Sequence, residues 1–135
     1  MTKYVFKVIV MILISNSIHA QTKTPPRPAE FPGGINQFYK WVDRNIIYPK
    51  DALLTSTEGQ VVISFILNES GKVWGESLTI KQSVSPTIDA EAIRLMKESP
   101  IWIPARDAEL GKAVPVRMSV PINFMIPEAL KVKDK

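Results

Sequence analysis

Between Val114 and Ile126 the apolar residues fall at every second position: Val114, Val116, Met118, Val120, Ile122, Phe124 and Ile126. That period puts them all on one face of an extended chain and predicts a half-buried strand. Pro115 and Pro121 stand on the opposite phase. Neither can donate to a sheet ladder, so the strand is expected to keep a free edge in places. A second strand is predicted from Gln60 to Leu67, with Val61, Ile63, Phe65 and Leu67 on one face and Val62 and Ile66 making the other partly apolar. Asn68-Glu69-Ser70-Gly71 reads as a turn in which Gly71 takes positive φ. The chain then returns as a strand from about Lys72 to Gln82. Its apolar positions follow no single phase, and Gly75 suggests a bulge. The two strands form a hairpin.

Two segments carry the helical period instead. Phe31-Pro32-Gly33-Gly34 is a turn leading into a helix in which Ile35, Phe38, Tyr39 and Val42 fall at i, i+3, i+4 and i+7. Pro49 limits that helix by disfavouring helical geometry at Tyr48, and a short turn, Lys50 to Leu54, is expected to start from Pro49. Ser85 before Pro86 supplies a capping hydroxyl and a proline at the first helical position, and Asp89 and Glu91 lie where the helix dipole favours negative charge. Ile88, Ala92, Leu95 and Met96 form the buried face of this helix, and Pro100 ends it. The order helix, strand, strand, helix, strand predicts an α+β domain: a small antiparallel three-stranded sheet with two helices packed on one face.

The first residues read as an address. Lys3 and Lys7 precede an apolar run from Val8 to Ile14, and Ile18-His19-Ala20 closes the segment in the manner of a signal-peptidase site. The run is shorter than the roughly 20 apolar residues that span a bilayer, so residues 1–20 are expected to be a cleaved signal peptide. Residues 21–30 contain Pro25, Pro26 and Pro28 and read as a Pro-rich tether. The folded domain is expected over residues 31–127. Residues 128–135, with Lys131, Lys133 and Lys135, form a basic tail.

Charge and composition narrow the functional classes. The 17 basic and 13 acidic residues leave a net charge of +4, and loss of Lys3 and Lys7 with the signal halves it. No basic stripe interleaved with aromatics is present, which argues against nucleic acid. There is no cysteine, and export without disulfides suits a bacterial periplasmic domain. His19, the only histidine, leaves with the signal. The mature chain therefore cannot build a Ser-His-Asp triad, a Cys-His pair or a typical zinc site. Gly71-Lys72 and Gly111-Lys112 lack the first glycine of a phosphate loop, which Ile66 and Arg106 replace. No cofactor, metal site or small-molecule substrate is expected, and no enzyme. Trp102 is read as a core plug, whereas Trp41 and Trp74 are candidates for exposed contacts.

Several blocks, taken in order, resemble the C-terminal domain of TonB-type energy transducers. They are Tyr48-Pro49, Glu58-Gly59-Gln60-Val61, Ser70-Gly71-Lys72-Val73, Asp89-Ala90-Glu91-Ala92, Pro100 with Trp102 and Pro104, Gly111-Lys112, and Pro121-Ile122-Asn123-Phe124. Phe31-Pro32-Gly33-Gly34 is similar to the lead-in segment of versions common in Bacteroidetes-like bacteria. The resemblance implies a periplasmic domain that grips the TonB box, a short peptide of an outer-membrane transporter, beside the last strand. Carried over, the peptide-binding residues are Val114, Val116, Arg117, Met118, Ser119, Val120, Ile122 and Phe124 along the strand edge, and Asn45, Ile46, Ile47 and Tyr48 before the Tyr-Pro pair. An exposed edge suits this role, since it supplies main-chain hydrogen bonds for affinity.

The chain departs from a full transducer in its short apolar run and short tether. Ser15 and His19 reproduce the Ser-x-x-x-His spacing of the family's membrane anchor, but Gln21-Thr22-Lys23 follows in place of further apolar sequence. The expected function is a non-catalytic periplasmic module that binds an extended peptide by strand addition. The alternatives are an envelope module that binds peptidoglycan or a homodimer partner, and an inner-membrane-anchored transducer that keeps its N-terminal segment.

Overall fold

A computed structural model describes residues 26–131. The segment read as a signal, the first five residues of the tether and the last four of the tail lie outside them. The elements are α1 (Ile35–Asn45), α2 (Lys50–Leu54), β1 (Gly59–Leu67), β2 (Val73–Gln82), α3 (Pro86–Lys97), β3 (Ala105–Arg106), β4 (Ala113–Val114) and β5 (Val116–Phe124), followed by a 3-10 turn at Glu128–Leu130. The main sheet has three antiparallel strands in the order β2-β1-β5. The α+β architecture is the expected one.

The predicted phases define the core. Val61, Ile63, Phe65 and Leu67 of β1 and Val120, Ile122 and Phe124 of β5 are buried, together with Phe38 and Val42 of α1 and Ile88, Ala92, Leu95 and Met96 of α3. Burial stabilises each large apolar side chain by about 1.5–3 kcal/mol, so this one face accounts for most of the driving force. Trp102 is the plug that its sequence context suggests. Its ring lies 5.3 Å from Phe31, 5.6 Å from Phe38 and 5.8 Å from Phe65, and its indole N–H donates to Ser99 Oγ at 2.8 Å. Helix α3 begins as predicted, with Pro86 first and the Ser85 hydroxyl accepting from the Ile88 N–H at 3.3 Å.

Other details differ from the sequence reading, each for a local reason. Ile35 is 54% exposed although it shares the apolar phase of α1, because it stands in the first turn, ahead of the packed part of the helix. Trp41 is half-buried rather than a free contact, its ring 6.1 Å from Phe31 and 6.3 Å from Phe38, while Trp74 is exposed. Pro49 caps α2 instead of opening it. The final strand breaks at Pro115 into β4 and β5 and ends at Phe124, since a proline interrupts the ladder there. β4 pairs with β3 in a two-stranded sheet that the hydrophobic pattern does not announce.

The irregular phase of β2 also has a physical origin. Its register against β1 shifts between the Ser64 and Ile66 positions, around the Gly75 segment. Ser77 bridges the gap: its hydroxyl accepts from the Ile66 N–H at 2.8 Å and donates to the Trp74 carbonyl at 2.6 Å. A side chain thus supplies the bonds that a regular ladder would have made. The end of the tether is ordered too. Arg27 and Arg106 exchange backbone hydrogen bonds at 3.2 and 2.9 Å, and Glu30 and Ile103 do so at 3.0 and 2.8 Å. Pairing therefore begins ahead of Phe31, at Arg27, because extended Pro-rich backbone finds a partner in the segment after Trp102.

Candidate functional site

Among the described residues β5 has a neighbour on one side only, β1. Which of its atoms face outward follows from β1. The Ile66 N–H points to β2, where it meets Ser77, and the Gln60 carbonyl accepts from Gln82 Nε2 at 3.0 Å on the same side. In a strand the backbone polar groups alternate between the two edges, so the odd-numbered residues of β1 turn theirs to β5. The register pairs Val61 with Ile122, Ile63 with Val120, Phe65 with Met118 and Leu67 with Val116. The outward positions of β5 are therefore Arg117, Ser119, Pro121 and Asn123.

This sorts the residues named from the sequence. Arg117 and Ser119 are exposed and direct their backbone groups to the free edge. Val120, Ile122 and Phe124 are buried in the core, and Val116 and Met118 are half-buried against it. Their part is to hold the strand in place. Val114 lies in β4, opposite Ala105.

The segment Asn45–Tyr48 is held at the far end of β5. Asn45 closes α1, its side chain donating to the Trp41 carbonyl at 2.7 Å. Its own carbonyl accepts from Arg94 Nη2 at 2.9 Å. The Ile47 N–H donates to Glu91 Oε1 at 2.7 Å, leaving the Ile47 side chain 63% exposed. Glu91 is 8% exposed, and Arg94 grips both its oxygens, through Nη2 at 2.6 Å and Nε at 2.7 Å. Hydrogen bonding to Glu91 holds the Arg94 guanidinium above its ordinary pKa, against the opposing effect of burial. Glu91 thus does more than favour the helix dipole: it is a latch between α3 and the segment before Tyr-Pro. The signal in the sequence was its spacing, three residues after Ile88 and four before Leu95, which puts a charge on an apolar stripe.

Tyr48 completes the arrangement. Its hydroxyl donates to the Thr57 carbonyl at 2.6 Å, and its ring meets Phe124 edge-on at 5.9 Å. Ile46, Tyr48, Asn123, Met125 and Leu130 line a groove of about 510 Å³ where the two named segments meet. The Ile126 N–H, donating to Glu58 Oε1 at 2.7 Å, fixes the chain as it leaves β5. A larger cleft of about 900 Å³ lies beside Trp74 and Pro115. There Lys72 and Lys97 are balanced by Glu69 and Glu76, whereas the smaller groove adjoins both named segments and is the better candidate.

Burial raises the Tyr48 pKa, and the nearby Glu58 carboxylate adds to the effect. The folded state therefore holds the phenol proton more tightly than the unfolded chain does. That contribution is complete below the ordinary tyrosine value of about 10 and is lost as pH rises through the folded-state value. Tyr48→Phe is expected to lower stability by about 1 kcal/mol at neutral pH through loss of the Thr57 hydrogen bond. In urea titrations the gap between the two proteins should narrow as the pH passes about 10. A gap that is constant with pH would exclude this role for the hydroxyl.

Fold and edge together define a small α+β domain whose sheet ends in an open strand. A family model described as Gram-negative bacterial TonB protein C-terminal matches residues 44–126, and the chain belongs to that family. The match begins inside α1, so the Phe31 turn lies before it. The NMR solution structure of the Helicobacter pylori TonB C-terminal domain, residues 179–285, is 23% identical over 72% of this chain and 88% of that one, with a TM-score of 0.50. A second structure of that domain, residues 194–285, is 20% identical over 66% of this chain and 89% of that one, with a TM-score of 0.48. At such identities the likeness is one of fold. No curated protein matches the sequence. The family consists of non-catalytic interaction domains of the envelope that work with outer-membrane transporters in TonB-dependent transport. Among the described residues no helix is long and apolar enough to cross a membrane.

Proposed function

We propose that this domain binds the TonB box, or a similar extended segment of an outer-membrane transporter, by strand addition to β5 in the periplasm. The observation that carries the reading is the open edge of β5, with the groove at Asn45–Tyr48 continuing it. A guest strand there completes a ladder that the domain leaves unfinished, and its side chains enter the groove beside Ile46 and Tyr48. The Glu91–Arg94 latch supports the reading, because it holds that segment before any partner arrives and lowers the ordering cost of binding.

Titration of isotopically labelled protein with TonB-box peptides tests the proposal. The expected result is amide shifts at Arg117, Ser119 and Asn123 and along Asn45–Tyr48, with the buried face of α3 unaffected. Shifts induced there by peptidoglycan fragments and by no peptide would replace this reading with cell-wall binding.

A further inference from the structure

We infer that Pro121 leaves a gap in the ladder between β5 and a guest strand: guest carbonyls pair with the N–H groups of Arg117 and Ser119, and the one seated opposite residue 121 finds no backbone donor. This rests on the strand-addition reading above and goes on to the chemistry of the edge. All four outward positions present a carbonyl, but only Arg117, Ser119 and Asn123 present an N–H. No backbone hydrogen bond between separate elements of the described residues uses these three donors. The donors thus form a pair, Arg117 and Ser119, then a gap, then Asn123. The guest carbonyl that faces Pro121 therefore has no protein partner. One hydrogen bond more or less corresponds to roughly two- to tenfold in affinity.

The same gap discriminates against a second copy of this chain. Two β5 edges pairing antiparallel about a twofold axis at Ser119 would set each Arg117 against Pro121 of the other copy. Moving the axis to Arg117 sets Ser119 against Pro115, and moving it to Pro121 or Asn123 again brings Pro121 into the ladder. About an axis at Met118 the two residues Arg117 and Ser119 pair in both directions, but the next outward pair at each end sets Pro121 against Pro115, so pairing between two copies either stops there or includes a missing donor on both chains. A guest from another protein brings no proline of its own by symmetry, so the edge favours a heterologous extended peptide with two free carbonyls at alternate positions.

The test uses the full chain and a synthetic TonB-box peptide, comparing the natural protein with Pro121→Ala. Amide hydrogen exchange should show the peptide protecting Arg117 and Ser119 in both proteins. In the variant the amide newly created at position 121 should also be protected, with binding roughly two- to tenfold tighter. Sedimentation should show the variant self-associating at lower concentration. If the peptide protects Arg117 and Ser119 but the amide at position 121 exchanges equally fast with and without it, no guest carbonyl faces residue 121, and the gap is refuted while strand addition stands. If no peptide slows exchange at Arg117 or Ser119, both fail. A backbone-ester scan of the peptide against the natural protein makes the test independent of the variant's folding. Affinity should fall where the ester weakens a carbonyl facing Arg117 or Ser119 and hold where it faces Pro121, whereas a uniform fall overturns the gap.

Discussion

Gly71→Ala is expected to destabilise the domain by about 3 kcal/mol, a large share of the roughly 5–15 kcal/mol that holds a domain of this size together. Two independent effects combine at this position. Gly71 has φ +79, which an L side chain adopts at about 1–2 kcal/mol. An added Cβ would also stand 1.8 Å from the Trp102 carbonyl oxygen, so the backbone must move. Relief is blocked on both sides. The Trp102 N–H donates to the Gly71 carbonyl at 2.8 Å, and the indole is packed among Phe31, Phe38 and Phe65. Overpacking of this kind costs about 1–3 kcal/mol.

Gly111→Ala is the matching control, since its φ is also positive, at +61, but nothing lies within 4 Å of the added carbon. That variant should lose only about 1 kcal/mol. Urea unfolding of the two proteins measures the difference, and equal losses would show that the close approach to Trp102 contributes nothing.

Glu91→Ala should cost about 2–3 kcal/mol and, more tellingly, free the segment that lines the binding groove. The substitution removes the acceptor of the Ile47 N–H and both carboxylate oxygens that Arg94 grips at once. Breaking a fully buried ion pair costs about 3–5 kcal/mol. The smaller figure applies because Arg94 is one-third exposed and keeps Glu98 at 2.8 Å and the Asn45 carbonyl at 2.9 Å. Hydrogen exchange separates the local effect from the global one. The Ile47 amide should exchange much faster, while the amides of β1 speed up only as far as the loss of overall stability requires. Peptide affinity should fall with it, as the guest must then order Asn45–Tyr48 on binding. An Ile47 amide that remains as protected as in the natural protein would refute the latch.

The elements themselves were legible because their causes are local. Alternation along β1 and β5, the Ser85-Pro86 start of α3 and the Asn68–Gly71 turn each depend on residues within a few positions of one another, and each forms where the pattern puts it, β5 shortened at both ends. Even the open edge left a trace, since Pro115 and Pro121 share the one phase whose N–H groups are not needed by β1. What tertiary structure alone decided are contacts whose partners lie far apart in sequence. Glu91 reaches Ile47 across 44 residues, Arg27 pairs with Arg106, and Ser77 repairs the ladder where β2 slips. A carboxylate on a helix, an arginine in a Pro-rich stretch and a serine in a strand look alike whatever they face. Their roles arise only when packing of the apolar faces brings an unpaired backbone group within hydrogen-bonding distance, and no pattern along the chain encodes that distance.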